Sequence, residues 1–131
     1  MMNAILHNKV LWIAMGGGAG SAARYLVASG VQRLSATLFP FGTMAVNVLG
    51  CLAIGFLMIR LEASVLAPHQ RMAILVGFLG GFTTFSTFSA ETLKLVEERA
   101  LGYAACNVTV TLLACLTACW LGQRIARGMA G

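Results

Sequence analysis

The sequence predicts an all-α membrane protein with four transmembrane helices in each chain. Of its 131 residues, 59% are hydrophobic and only 10% are charged, whereas a soluble domain carries about 25% charged residues. Four apolar windows, at about 10–31, 39–59, 72–94 and 100–123, each have enough residues to cross a hydrocarbon core about 30 Å thick. The connectors are too short for a soluble domain, so residues 1–131 are expected to form one transmembrane domain.

The first window combines a glycine-rich stretch with one arginine. Gly16 and Gly20 have small-xxx-small spacing, which predicts the close approach of another helix. These glycines do not form a nucleotide-binding motif, because no strand precedes them and no Lys-Ser/Thr pair follows. Arg24 either faces an aqueous cavity or a partner, or snorkels from a helix end, and both alternatives satisfy its solvation. The window is longer than the apolar core of a signal peptide, so we expect this helix to be retained.

Basic residues are distributed almost evenly over the two predicted sides of the membrane. The positive-inside rule then gives only a weak orientation, so the chain is expected to insert both ways. Four helices are too few to enclose a wide solute path, and two oppositely inserted copies would form an antiparallel homodimer with dual topology. One side carries five basic residues and the other three, namely Lys9, Arg60, Arg71, Arg124 and Arg127 against Arg33, Lys94 and Arg99.

The third window contains a sequence that weakens a helix. Gly80 and Gly81 are followed by five hydroxyl residues within seven positions, from Thr83 to Ser89. We therefore predict a broken third helix, which is tolerated at membrane depth only where the backbone is buried in protein or lines a cavity. The alternative is a continuous helix whose serines and threonines bond to their own carbonyls.

Aromatic and hydroxyl side chains alternate after this predicted break. Phe85 and Phe88 are three residues apart, so their rings are neighbours on a helix, and ring edges carry a partial positive charge that an anion can face. Ser86, Thr87 and Ser89 add hydroxyl donors. Phenylalanine in a membrane usually packs or contacts lipid, but a lipid-facing helix gains nothing from interleaved hydroxyls. The segment is therefore predicted to line an anion path.

The second and fourth windows each contribute polar side chains. Asn47 is the one strongly polar side chain of the second window, and it either bonds a partner helix or lines a wet path. Tyr103, Asn107 and Thr111 recur every four residues and share a helix face. Interhelical hydrogen bonds and a pathway of donors both fit this track. The four cysteines have no histidine or carboxylate at metal-ligand spacing and are expected to be buried free thiols.

Together these motifs resemble the CrcB, or Fluc, family of fluoride channels. The resemblance implies a dual-topology antiparallel homodimer with two fluoride pores in the bacterial inner membrane. Its implied function is the passive export of F⁻ from the cytoplasm, which protects against fluoride toxicity. The matching motifs are the glycine-rich helix ending in Arg24-Tyr25, the stretch from Gly42-Thr43 through Asn47 to Gly50, the stretch from Gly80 to Ser89, and the track of Tyr103 and Asn107.

The resemblance also implies roles for individual residues. A structural Na⁺ at the dimer interface would be bound by the backbone carbonyls of Gly80 and Thr83. Asn107 stands where serine is more usual, which leaves its role less defined than that of Tyr103. The implied fluoride pore comprises Phe85, Phe88, Asn47, Ser86, Thr87, Ser89, Tyr103, Asn107, Thr111 and Arg24.

The alternative function is that of a small multidrug-type proton-coupled antiporter, which has similar length and a weak charge bias. Such an antiporter needs a carboxylate at membrane depth in its first helix, but the first acidic residue is Glu62. All four glutamates are expected at helix ends or in connectors. A purely structural subunit would not need the hydroxyl-rich segment. No pattern indicates an enzyme or nucleic-acid binding, so the expected partners are fluoride, a second copy and membrane lipid.

Overall fold

The computed structural model describes the backbone of residues 2–129 and the side chains of residues 8–129, and this part of the chain is all-helical. The fold class predicted from composition is therefore confirmed at the level of secondary structure. The elements in chain order are α1 (Met2–Ser35), α2 (Phe41–Glu62), α3 (Pro68–Met72), a π-helical segment (Ala73–Phe78), α4 (Leu79–Phe82), α5 (Phe85–Glu97) and α6 (Leu101–Gly128).

Three parts of the described chain are long and apolar enough to cross a membrane. They are α2, α6 and the stretch Pro68–Glu97, which we call the third segment. These spans support an integral membrane protein. The helix α1 is longer than any of them, but its glycines and Arg24 make it less apolar. The structure therefore gives three membrane spans by length and composition, whereas the sequence predicted four.

Interlocking glycines hold α1 against the third segment. A methyl group on Gly20 would collide with the carbonyl of Phe78, and one on Gly81 would collide with the carbonyl of Gly17. Gly16 and Gly77 are equally crowded by backbone of the opposite helix. The close helix approach predicted from Gly16 and Gly20 is confirmed, and the partner helix belongs to the same chain.

The helices α2 and α6 form the most extensive helix pair in the described chain. Glycines again allow the approach, because a methyl group on Gly55 would collide with the carbonyl of Cys119 and one on Gly122 with that of Leu52. Two such pairs, α1 with the third segment and α2 with α6, are joined through contacts of α1 and α4 with α2. Few side chains are fully enclosed, and large apolar side chains stay exposed along every long helix.

The third segment changes backbone conformation between α4 and α5. Thr83 (φ −88°, ψ 158°) and Thr84 (φ −153°, ψ 113°) are extended, and each belongs to neither helix. Gly80 and Gly81 lie inside α4. The extended residues follow those glycines, at the start of the hydroxyl-rich sequence. The segment therefore exposes backbone hydrogen-bonding groups in the middle of an apolar span, where they need partners from protein.

Candidate functional site

Asn47 supplies partners for the extended backbone between α4 and α5. Its Nδ2 donates to the Thr84 carbonyl over 3.0 Å, and its Oδ1 accepts from the Thr84 amide over 2.7 Å. Both residues are buried, so water cannot hydrogen-bond the Thr84 amide and carbonyl. The Asn47 side chain supplies the two hydrogen bonds that a continuous helix would have supplied. The amide group keeps one Nδ2 hydrogen for a further acceptor. Of its two predicted alternatives, Asn47 therefore makes hydrogen bonds to another helical segment, namely to the backbone of the third segment.

A cluster of hydroxyl groups lies at the start of α5. The Thr84 hydroxyl caps this helix by accepting from the Thr87 amide over 3.2 Å, and it donates to the Thr87 hydroxyl over 3.0 Å. The Ser86 hydroxyl lies 3.2 Å from the same Thr84 oxygen. Ser89 instead donates to the Phe85 carbonyl of its own helix over 2.9 Å. The structure therefore brings Ser86 and Thr87 together and leaves Ser89 outside the cluster.

Thr84 was not among the candidate pore residues, although it connects Asn47 to this hydroxyl cluster. Its sequence signal is its spacing, since a threonine three residues before Thr87 fits the position of a helix N-cap.

The phenylalanine rings next to this cluster are neighbours, as their spacing predicts. The ring centroids of Phe85 and Phe88 are 5.5 Å apart, and the rings are tilted by 40°. Phe85 is 79% exposed and Phe88 is half-buried. One chain therefore leaves most of the Phe85 ring free for another molecule.

A cavity of about 570 Å³ lies among α1, α2 and α5 and has a positively charged wall. Arg24 and Arg33 both line it, and Thr87 is also one of its lining residues. The Nη1 atom of Arg24 also donates to the Thr83 carbonyl over 3.3 Å. Of the two alternatives for Arg24, the structure has the one in which the guanidinium faces a cavity. Phe85, Phe88 and the polar track of α6 do not line this cavity.

Glu91 also lines the cavity, and here the sequence interpretation was wrong. Glu91 was expected at a helix end, but α5 continues to Glu97 and places Glu91 in its interior. Its Oε2 is buried and has no hydrogen-bond partner in the described part of the chain. The missed signal is the four-residue spacing of Thr87 and Glu91, which places both on one face of α5. The lining of the cavity therefore contains a carboxylate as well as two arginines.

The polar track of α6 divides into two parts. Asn107 and Thr111 are buried and bonded, because the Thr111 hydroxyl donates to Asn107 Oδ1 over 3.1 Å and Asn107 Nδ2 donates to the Thr92 hydroxyl over 2.9 Å. Tyr103 is half exposed and its ring meets the edge of Phe39, with centroids 6.2 Å apart. Within one chain, Asn107 therefore bonds α6 to α5, Thr111 bonds Asn107 within α6, and Tyr103 packs separately.

The comparison with known proteins identifies the family to which this arrangement belongs. The family model described as "CrcB-like protein, Camphor Resistance (CrcB)" matches residues 11–123. The chain belongs to the CrcB family. The resemblance deduced from the glycine-rich helix and the hydroxyl-rich segment is therefore confirmed.

Curated relatives match almost the whole of this CrcB-family chain, and each is named "Fluoride-specific ion channel FluC". The protein from Citrifermentans bemidjiense is 43% identical over 122 residues, which cover 92% of this chain and 98% of the relative. The protein from Geobacter sulfurreducens is 45% identical over 119 residues, covering 90% and 96% respectively. The protein from Solibacter usitatus is 46% identical over 121 residues, covering 91% and 98%.

The two carbonyl groups that the CrcB resemblance assigns to Na⁺ differ in their partners, because the Thr83 oxygen accepts from Arg24 over 3.3 Å and the Gly80 oxygen does not. In a continuous helix, the Gly80 carbonyl would accept from the Thr84 amide and the Thr83 carbonyl from the Thr87 amide. Those amides bind Asn47 and the Thr84 hydroxyl instead, which leaves both oxygens without their helical donors. Acidic, histidine and cysteine side chains form no metal-binding cluster among the described residues.

Proposed function

We propose that this chain is a fluoride-selective channel that exports F⁻ passively from the cytoplasm and has no enzymatic activity. The observation that carries the proposal is the extended, hydroxyl-rich stretch at Thr83 and Thr84, which Asn47 stabilises in the middle of an apolar span. An unwound backbone at this depth is costly unless it is buried in protein or lines a cavity, and Thr84 is bonded to Asn47 and also lines the cavity. The names of relatives that cover the same length support fluoride as the transported ion.

The geometry supplies what a small, strongly hydrated anion needs on losing its water. Arg24 and Arg33 outnumber the one carboxylate, Glu91, among the described residues that line the cavity, and this excess of positive charge attracts anions. The exposed hydroxyls of Ser86 and Thr87 and the free Nδ2 hydrogen of Asn47 offer donors. The edges of the Phe85 and Phe88 rings add weak positive charge without fixing the ion tightly. Weak sites in a narrow path allow an ion to enter and to leave.

A second, antiparallel copy is proposed to complete the path. In one chain, the phenylalanine rings and the cavity are separate, and most of the Phe85 ring is exposed. The nearly even distribution of basic residues over the two sides permits both orientations of the chain. The helix α1, which packs against the third segment, is proposed to be the fourth membrane span. Such a homodimer would lie in the bacterial inner membrane, surrounded by lipid on the apolar faces that stay exposed.

The dual topology predicts that each connector is found on both sides of the membrane. Thr37 and Ala63 are exposed residues at opposite ends of α2. In a background without native cysteines, Thr37→Cys and Ala63→Cys should each be labelled from either side by an impermeant thiol reagent in functional vesicles. If Thr37→Cys were labelled only from one side and Ala63→Cys only from the other, all chains would have one orientation, which would contradict the proposal.

A structural Na⁺ is proposed between the two copies, held by the carbonyls of Gly80 and Thr83. When bound, the ion would compensate backbone oxygens that have lost their helical donors. Because the ion stays in place, fluoride flux should be the same with a Na⁺ gradient in either direction. Replacing Na⁺ with a large organic cation should lower the thermal stability of the dimer. Flux that reverses or stops with the Na⁺ gradient would contradict a structural role.

The proposed export predicts protection of growing cells. A bacterial strain that lacks its own fluoride export should recover growth in fluoride medium when it expresses this chain, because fluoride enters as HF in acid and dissociates inside. The Asn47→Leu variant is the matched control. Failure to protect, with the wild-type protein present in the membrane, would contradict the export function.

A further inference from the structure

Thr92 lies outside the proposed pore residues, yet it connects α6 to the carbonyl of Phe88. Its hydroxyl is 2.7 Å from the Phe88 oxygen, one turn earlier in α5, and it accepts from Asn107 Nδ2 over 2.9 Å. Asn107 is 1% exposed, so within one chain its side-chain amide must find its hydrogen-bond partners in the protein rather than in solvent. The chain of bonds therefore runs from Thr111 and Asn107 on α6, through Thr92, to the backbone of Phe88.

The short distance at Phe88 fixes the direction of these bonds. Two oxygens 2.7 Å apart need a hydrogen between them, and the carbonyl has none, so the Thr92 hydroxyl donates its single proton to Phe88. Thr92 then acts as an acceptor for α6, which requires Asn107 to present its NH₂ group. The Thr111 hydroxyl in turn donates to the Asn107 oxygen. The two hydroxyls and one hydrogen of the Asn107 NH₂ group each have an acceptor in this series of bonds.

We propose that Thr92 is a positioning residue for fluoride permeation, which sets the Phe88 ring through the carbonyl of that residue. A threonine bonded to the carbonyl four residues earlier tilts the local helix turn, and donation from Asn107 strengthens that bond. The tilt determines how the Phe88 ring lies against Phe85, at 5.5 Å and 40°. This inference rests on the proposed fluoride channel function.

The test compares fluoride flux per dimer and thermal stability in Thr92→Val, Thr92→Ser and the double variant Thr92→Val/Asn107→Leu. Valine keeps the shape but removes the hydroxyl, so flux should fall about tenfold or more and the ratio of fluoride to chloride flux should change. Stability should also fall, because Asn107 Nδ2 loses its acceptor in a buried place. Serine keeps the hydroxyl and should keep wild-type flux.

The double variant, compared with Asn107→Leu alone because Asn107 is itself among the implied pore residues, separates positioning from structural support. It removes both partners, and the Thr111 hydroxyl can turn to the carbonyl of residue 107, so stability should recover relative to Thr92→Val. Flux per dimer should stay low, because the Phe88 carbonyl still lacks the hydroxyl. Thr109→Val, at an exposed position on α6, is the matched control and should leave both quantities unchanged.

Three outcomes would overturn the proposal for Thr92. They are wild-type flux per dimer in Thr92→Val, recovery of flux together with stability in the double variant, and loss of flux in Thr92→Ser. Absence of fluoride flux in the wild-type chain is a different result, because it rejects the channel function itself and the positioning role with it.

Discussion

Phe85→Ile and Phe88→Ile are each expected to lower fluoride flux about tenfold or more while the dimer still assembles. Isoleucine has comparable bulk and apolarity, so packing changes little, but it has no ring edge to face an anion. Losing about 1.4 kcal/mol of stabilisation at the highest barrier corresponds to a tenfold slower passage. Methionine, which is flexible and polarizable, should be the better-tolerated replacement at both positions.

Fluoride efflux from proteoliposomes, measured beside the yield of dimer, distinguishes an ion contact from packing. Near-normal flux in both isoleucine variants would assign the rings to packing. Loss of flux only in proportion to loss of dimer would assign them to packing as well. Leu113→Ile, at an exposed position of α6, serves as a control for a change of apolar shape outside the proposed path.

Asn47→Leu is expected to abolish most assembly of the folded dimer. Leucine has similar volume, but it leaves the buried Thr84 amide and carbonyl without partners. Each unpaired backbone group costs about 1–3 kcal/mol, and the two together are a large part of a typical stability of about 5–15 kcal/mol. Thermal unfolding in detergent and the yield of monodisperse dimer measure this loss.

Two comparisons make the Asn47 prediction specific. Asn8→Leu changes an exposed asparagine and should leave the unfolding temperature unchanged. Asn47→Asp keeps an acceptor for the Thr84 amide but has no donor for the Thr84 carbonyl, and its negative charge opposes an anion. Any dimer that Asn47→Asp forms should conduct little fluoride. An Asn47→Leu variant as stable as the wild type would show that Thr84 does not depend on this amide.

The existence of the helices was predictable because apolar windows are a local property of the sequence, but their ends were not, since α1 spans Met2–Ser35 and α6 continues to Gly128. The spacing of Phe85 and Phe88 predicted neighbouring rings for the same reason. Glu91 was expected near a helix end because charged residues usually mark the ends of a membrane span, whereas the backbone bonds of α5 do not depend on side-chain charge and continue to Glu97. A helix that lines a polar cavity can therefore continue past a glutamate, and only the face that Glu91 shares with Thr87 indicated this.

The partners of buried polar groups were not predictable from sequence. Asn47 was left with two alternatives because an amide shows its capacity for hydrogen bonds but not its partner, and Thr84 lies 37 residues away. The same holds for Asn107, whose contact with Thr92 depends on how α5 and α6 pack. The glycines of α1 predicted a close helix, but their spacing did not distinguish the third segment of the same chain from a second copy.

The most direct test of the fluoride pathway is ion efflux from proteoliposomes that contain the purified wild-type chain. Liposomes loaded with potassium fluoride and given a potassium ionophore should release fluoride rapidly, whereas liposomes loaded with potassium chloride should retain it. Fluoride release no faster than from protein-free liposomes, or chloride release at the same rate as fluoride, would contradict the account.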